Sequence, residues 1–310
     1  MSYGAPVALL VFGLLSLHQD IRGDSFVYSE GVFKVIAVPG AIPGNTYVTG
    51  INNSGQIVGY FYDSSGSHGF VENNGVFSMI TVPGAPATPI FATGINDAGQ
   101  IVGSFGYYPP QEFGFLDDHG VFTVIDSHRD ETVPRGINNS GQIVGSMNYI
   151  IPRFYGTGFI YTNGVFAEVQ YPGEPLTALT GMNDAGEVVG AYAGAFIAFK
   201  YQNGTFTKIS YPESSSTYLS GINDSGEIIG SYRDSLQSHG LLYKDGIFNT
   251  FDFPGAAGTS LTGISNSGEL VGLFEPTPTP EPASLLLFLL GMAAIGIFKY
   301  RHMRVNVRDG

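Results

Sequence analysis

Short runs of β-branched and aromatic residues alternate along most of the chain with clusters of Gly, Asn, Asp and Ser. Ile57, Val58, Phe70, Phe77 and Ile80 are typical of the runs. This is the pattern of short strands joined by tight turns. The pattern is also periodic. G-I-N-N-S-G-Q-I-V-G begins at Gly50 and Gly136, and G-I-N-D-A-G-Q-I-V-G at Gly94. Variants begin at Gly181 (G-M-N-D-A-G-E-V-V-G), Gly221 (G-I-N-D-S-G-E-I-I-G) and Gly263 (G-I-S-N-S-G-E-L-V-G), giving steps of 44, 42, 45, 40 and 42 residues. A second motif, Gly followed after one residue by Phe, falls between them at Glu30, Asn74, His119, Asn163, Asn203 and Asp245.

Each motif predicts a hairpin. Asn163-Gly164, Asn203-Gly204 and Asp245-Gly246 supply the positive φ angles of a two-residue turn. In Asn52-Asn53-Ser54-Gly55 the first Asn caps the turn and the Gly takes the left-handed position. Two hairpins per repeat make four strands, A to D, in about 42 residues, the unit of a β-propeller blade. A parallel β-solenoid has shorter repeats without two hairpin turns. The array opens near Val27 with strands C and D and ends at Phe274 with strands A and B. The two half-blades complement each other, so the expectation is an all-β, six-bladed propeller. Its ring closes by pairing Val27 to Val38 with Leu261 to Phe274, which leaves no free edge. The repeat over residues 26–274 resembles the HAF-type extracellular repeat family, whose signature contains G-I-N-x-x-G-x-I-V-G. That resemblance implies fold and location but no activity.

The chain ends differently. Residues 275–282, E-P-T-P-T-P-E-P, form a stiff spacer that can be neither helix nor central strand. An apolar run follows from Leu285 to Phe298, then Lys299, Arg301, His302 and Arg304. With Ala283, Ser284 and Tyr300 added, the run is long enough for a thin membrane span, and the basic end fixes its cytoplasmic side. Pro280, Glu281, Pro282, Ala283 and Ser284, then the apolar run, then the stop formed by Lys299, Arg301 and Arg304, resemble a PEP-CTERM sorting tail. The resemblance implies an exosortase, a membrane-embedded transpeptidase, as processing partner. Ala5 to Leu17 reads as the apolar core of a signal peptide. The expected organisation is a signal segment at 1–25, the propeller at 26–274, the spacer at 275–282, the sorting tail with its transmembrane helix at 283–304 and a cytoplasmic end at 305–310.

Composition narrows the chemistry. In 310 residues there are 13 Lys+Arg against 26 Asp+Glu, so the net charge of −13 excludes a nucleic-acid partner. The absence of Cys excludes disulfides and thiolate or zinc–thiolate chemistry. No nucleophile, phosphate-binding, zinc or dinucleotide motif is present, so no catalytic residue, metal or cofactor is assigned. His68 and His239 share a slot that other blades fill with Phe113 and Thr157, and His119 is a turn residue. Asp97, Asp184 and Asp224 fit turn capping better than calcium loops. The slot after the turn Gly always holds Gln or Glu (Gln56, Gln100, Gln142, Glu187, Glu227, Glu269), which reads as a local hydrogen bond to the hairpin backbone. The sharper alternative is a ring of these side chains at one channel mouth.

In an up-and-down blade the A–B and C–D turns share one face, and the variable B–C and D–A connections share the other. Variable loops on a rigid scaffold are where binding sits. Arg129, Arg135 and Arg153, with Tyr107, Tyr108 and Tyr155, fall in or beside variable connections. Arg forks suit carboxylates and sulfates, and aromatic faces stack on sugars. The expected function is therefore a non-enzymatic, exported surface or matrix protein that binds extracellular polysaccharide, membrane-anchored until its tail is processed. The rivals are a polysaccharide hydrolase or lyase using the channel, which needs two or three carboxylates or His converging there, and a purely structural spacer.

Overall fold

The computed structural model describes residues 24–85, 89–106, 112–129, 131–148, 156–174, 176–192 and 197–277. All regular structure in them is β. Twenty-four strands, from β1 (Asp24–Ser29) to β24 (Leu270–Pro276), form six four-stranded antiparallel sheets. Blades 1 to 5 are continuous in sequence, at 46–79, 90–125, 131–169, 177–209 and 216–250. Blade 6 is composite. Its order is β2 (Val32–Ile36), β1, β24, β23 (Ala256–Ile264). Val27 pairs with Lys34 on one side and Val271 on the other, so the ring closes as the phase of the repeat requires. Pairing extends to Asp24 and Pro276, slightly beyond the expected borders. Among the described residues no helix is long and apolar enough to cross a membrane. The expected signal segment (bar its last two residues) and transmembrane helix lie outside them.

The repeat motif is explained position by position. Its first Gly sits on the inner strands β3 (Thr46–Ile51), β7 (Ile90–Ile95), β11 (Glu131–Ile137), β15 (Thr177–Met182), β19 (Ser216–Ile222) and β23. There neighbouring blades nearly touch. A Cβ on Gly94 would lie 3.2 Å from Gly136 Cα, and one on Gly181 2.9 Å from Gly221 Cα. The Asn binds twice. Asn52 Oδ1 accepts the N–H groups of Ser54 and Gln56 at 3.1 and 3.0 Å, which caps its own turn. Its Nδ2 donates to the carbonyl of Asn96 in the next blade at 3.1 Å. Gly55 takes φ +78° in that turn. Ile57 and Val58 are buried in the core.

The last Gly makes room for an aromatic ring. Phe70, Phe115, Phe159, Phe199 and Phe26 are fully buried on strand C. A Cβ on Gly103 would meet the Phe115 ring at 2.7 Å and the Phe91 carbonyl at 2.1 Å. Each ring buried in this way contributes about 2–3 kcal/mol of apolar burial. The second motif forms the expected two-residue turns, with Asn163 at φ +50° and Gly164 at +88°.

Every inner strand carries a β-bulge just before its first Gly, as at Leu179/Gly181 and Ala92/Gly94. The bulged residue leaves the ladder and its side chain is re-aimed. In blades 1, 2, 4 and 5 it is a hydroxyl residue that ties two blades together. Thr49 Oγ1 donates to Val58 O and Ala92 O, and Thr180 Oγ1 to Val189 O and Leu219 O.

Candidate functional site: the channel mouth on the variable face

The face made by the constant turns is locked rather than open. Each A–B turn hands a backbone N–H to the side chain of the next blade: Asn53 to Asp97, Asp97 to Asn139, Asn139 to Asp184, Asp184 to Asp224, Asp224 to Asn266 and Asn266 back to Asn53. The distances are 2.5–2.8 Å. The aspartates therefore hold the neighbour's turn and not their own, because the preceding Asn already caps it. This inter-blade role was not visible from one repeat. The Gln/Glu side chains bond locally, but to the turn Asn side chain and not to the hairpin backbone. Gln56, Gln100 and Gln142 accept from Asn52, Asn96 and Asn138 within their own turns. Glu187 bonds Asn183 and Lys200, and Glu227 bonds Asn223 and Lys244. The Lys200 bond holds the Glu187 carboxyl below its ordinary pKa.

A second set of residues, running from inner strand β11 to the opposite face, breaks the repeat. Arg135 occupies the bulge slot that the other five blades fill with Thr49, Thr93, Thr180, Ser220 and Thr262. It forgoes the inter-blade hydroxyl bond, and its Nε is buried with no hydrogen-bond partner. Glu112 leads into strand β9 (Phe113–Asp118) and pairs with Glu131, at the start of β11, in an isolated parallel bridge. Thr132 N–H donates to Glu112 O at 3.0 Å and fixes this junction of blades 2 and 3. The Glu112 side chain is buried, and Ser104 Oγ donates to it at 2.5 Å. Burial pushes the Glu112 carboxyl up to about 7. The Ser104 bond opposes this, Glu131 adds to it and Arg135 opposes it. Tyr218, on inner strand β19 of blade 5, is also within reach of the Arg135 charge. Burial raises its phenol and Arg135 opposes the rise. Arg135 thus electrostatically links blade 2 and blade 5 from its place on β11.

Of the residues expected to bind ligand, Arg135 lies not beside a variable connection but within β11, three residues before Asn138 of the A–B turn. Arg129 is on the variable face but paired with Glu168 of blade 3 at 2.5 Å. Arg153, Tyr107, Tyr108 and Tyr155 lie outside the described residues, as does the whole sorting motif from Pro280 to Ser284 with Lys299, Arg301 and Arg304. Sequence reasoning missed Glu112, Glu131, Ser104 and Tyr218. The signal was internal: the Glu112 slot is Ser67 and Ser238 in two other blades, so a carboxylate there is anomalous. His68 bonds Asp63 and Ser65, and His239 bonds Asp252 at 2.8 Å and Asp234 at 3.3 Å. Burial lowers the His239 pKa, but the two aspartates outweigh it and hold it above the ordinary value. Both histidines pin connections to their strands. Among the described residues no group of three or more His, Asp or Glu is placed to hold a metal ion.

Residues 278–304 match the model of the PEP-CTERM protein-sorting motif. The motif marks an exported, membrane-anchored precursor processed by exosortase. No curated protein matches the chain. Among solved structures, a putative TolB from Agrobacterium tumefaciens is similar at TM-score 0.54 and 10% identity, over 83% of this chain and 99% of that one. TolB from Acinetobacter baumannii gives 0.52 and 11%, over 88% and 71%. Virginiamycin B lyase from Staphylococcus aureus gives 0.50 and 12%, over 82% and 88%. At these identities the likeness is one of fold alone.

Proposed function

We propose that the chain is an exported surface or extracellular-matrix protein whose propeller faces outward and binds an acidic extracellular polysaccharide at the mouth on its variable face. The observation that carries this reading is Arg135. One blade in six gives up a structural hydroxyl for a guanidinium, buries its Nε unpartnered and brings its charge within reach of Glu112 and Tyr218. A buried donor left without a partner costs about 1–3 kcal/mol, a cost that fits a group kept for a ligand. The ligand chemistry follows from the residue: a planar fork of N–H donors matches a carboxylate or sulfate. The sorting motif and the likeness of the repeat to the HAF-type family both support an extracellular setting.

The test is retention on an immobilised acidic polysaccharide in low salt, wild type against Arg135→Thr. Thr is what Thr49, Thr93, Thr180 and Thr262 already place in this slot, so the variant keeps the fold. The expected result is loss of retention. Equal retention of the two proteins refutes the site.

A further inference from the structure

The axis of the ring is shut at one end by the backbone itself. The first Gly of the repeat stands at the same level on every inner strand. At five of the six junctions a Cβ on one would lie 2.9–3.4 Å from the Cα of the next: Gly50 from Gly94, Gly94 from Gly136, Gly136 from Gly181, Gly181 from Gly221 and Gly263 from Gly50. Adding the Cα–Cβ bond of about 1.5 Å puts these neighbouring Cα atoms no more than about 5 Å apart. That is the spacing of strands within one sheet, carried around a ring of six. An eight-stranded barrel has an interior that side chains just fill, and six strands enclose less. Two residues further on, the Asn of the motif is buried. From Asn52 to Asn223 each Nδ2 donates to the turn carbonyl of the next blade at 3.1–3.3 Å. The exposed ring that runs from Asn53 around to Asn266 and back lies beyond them. Three successive layers thus close the axis at the constant face.

Arg135 stands one residue before Gly136, on the variable side of this closure. It is four residues into β11 from Glu131, about 13 Å from the start of the strand. Its charge reaches Tyr218 of blade 5, although blade 4 stands between their blades around the ring. The two side chains face one another across the axis. The unpartnered Nε of Arg135 is buried there. To bring this donor an internal stretch, a polymer would have to enter and return beside itself while the six inner strands converge on their glycines. A chain end needs room for a single strand.

We infer that the propeller recognises the end of its acidic polymer: the chain enters along the axis from the variable face, and its terminal acidic residue stops at Arg135, against the glycine ring. The inference rests on the binding reading above and adds which part of the polymer is bound. Its consequence is a fixed stoichiometry. Recognition of internal residues lets a longer chain carry more propellers, whereas recognition of the end allows one per chain at any length.

The experiment titrates the purified full chain, by calorimetry, with alginate, polygalacturonate and hyaluronan. Each probe is used as two size fractions whose mean lengths differ about tenfold. The expected result is one protein per polymer chain in both fractions of the probe that binds. The shorter fraction should then saturate the protein at about one-tenth of the mass concentration. Arg135→Thr should lose the binding of both fractions. A number of proteins per chain that grows with chain length overturns this inference and leaves the binding reading intact. Undiminished binding by Arg135→Thr, or no binding of any probe to the wild type, overturns both.

Discussion

Arg135→Thr should make the protein more stable while removing its ligand. In blades 1, 2, 4 and 5 the bulge hydroxyl donates to a carbonyl of its own sheet and to one of the next blade, as Thr93 does to Val102 O at 3.1 Å and Pro134 O at 2.9 Å. By the same geometry Thr at 135 would serve Val144 O and Leu179 O. A hydrogen bond contributes about 0.5–1.5 kcal/mol net, and removing the buried, unpartnered Nε lifts a further desolvation penalty. Loss of the aliphatic part of Arg135 offsets some of this gain. The balance is about 1–2 kcal/mol in favour of Thr. For a domain of this size each kcal/mol moves Tm by about 2–4 °C, so a rise of about 2–8 °C is expected. Loss of the cation also lets Glu112 hold its proton to higher pH, because Arg135 now opposes its raised pKa. Calorimetric melting of both proteins in the same buffer reads the stability gain, and retention on acidic polymer reads the loss of the ligand. A lower or unchanged Tm would show that Arg135 is a structural residue, and the reasoning from its exceptional slot would fail.

Other parts of the fold give sharper losses. Gly103→Ala should destabilise by about 3 kcal/mol, because its Cβ would meet Phe91 O and the Phe115 ring; denaturant unfolding measures it. Phe115→Ala should cost about 3–5 kcal/mol by the same assay, by emptying the centre of blade 2. His239 should make stability pH-dependent. Its folded pKa is raised, so its contribution is present in full below the unfolded value of about 6.5 and is lost as pH rises through the folded value. The Tm difference between wild type and His239→Gln should accordingly shrink from pH 6 to pH 9, and a constant difference contradicts the assignment.

The fold was legible because each rule it obeys is local or periodic. Asn163-Gly164 announces its turn, and the order of half-blades announces the closure of β1 on β24. The site was only half legible. Arg135 stood out by charge, but its isolation depends on a bulge and on a missing hydroxyl bond that only the packed ring displays. Glu112 and Glu131 are 19 residues apart in sequence and meet because a B–C connection of blade 2 lies against the first strand of blade 3. The ring of Asn53, Asp97, Asn139, Asp184, Asp224 and Asn266 was hidden for the same reason: its bonds run between repeats, and a single repeat contains only half of each.

Hydrogen–deuterium exchange with and without a uronate oligosaccharide tests the central claim most directly, since it reports where on the propeller the ligand sits. Slowed exchange should appear at 112–116, 131–137 and 216–222, around Glu112, Arg135 and Tyr218. The constant-face turns around Asn53, Asn139 and Asp224 should be unchanged. Protection confined to those turns, or to the outer strands of the blades, would contradict the claim that the variable-face mouth is the binding site.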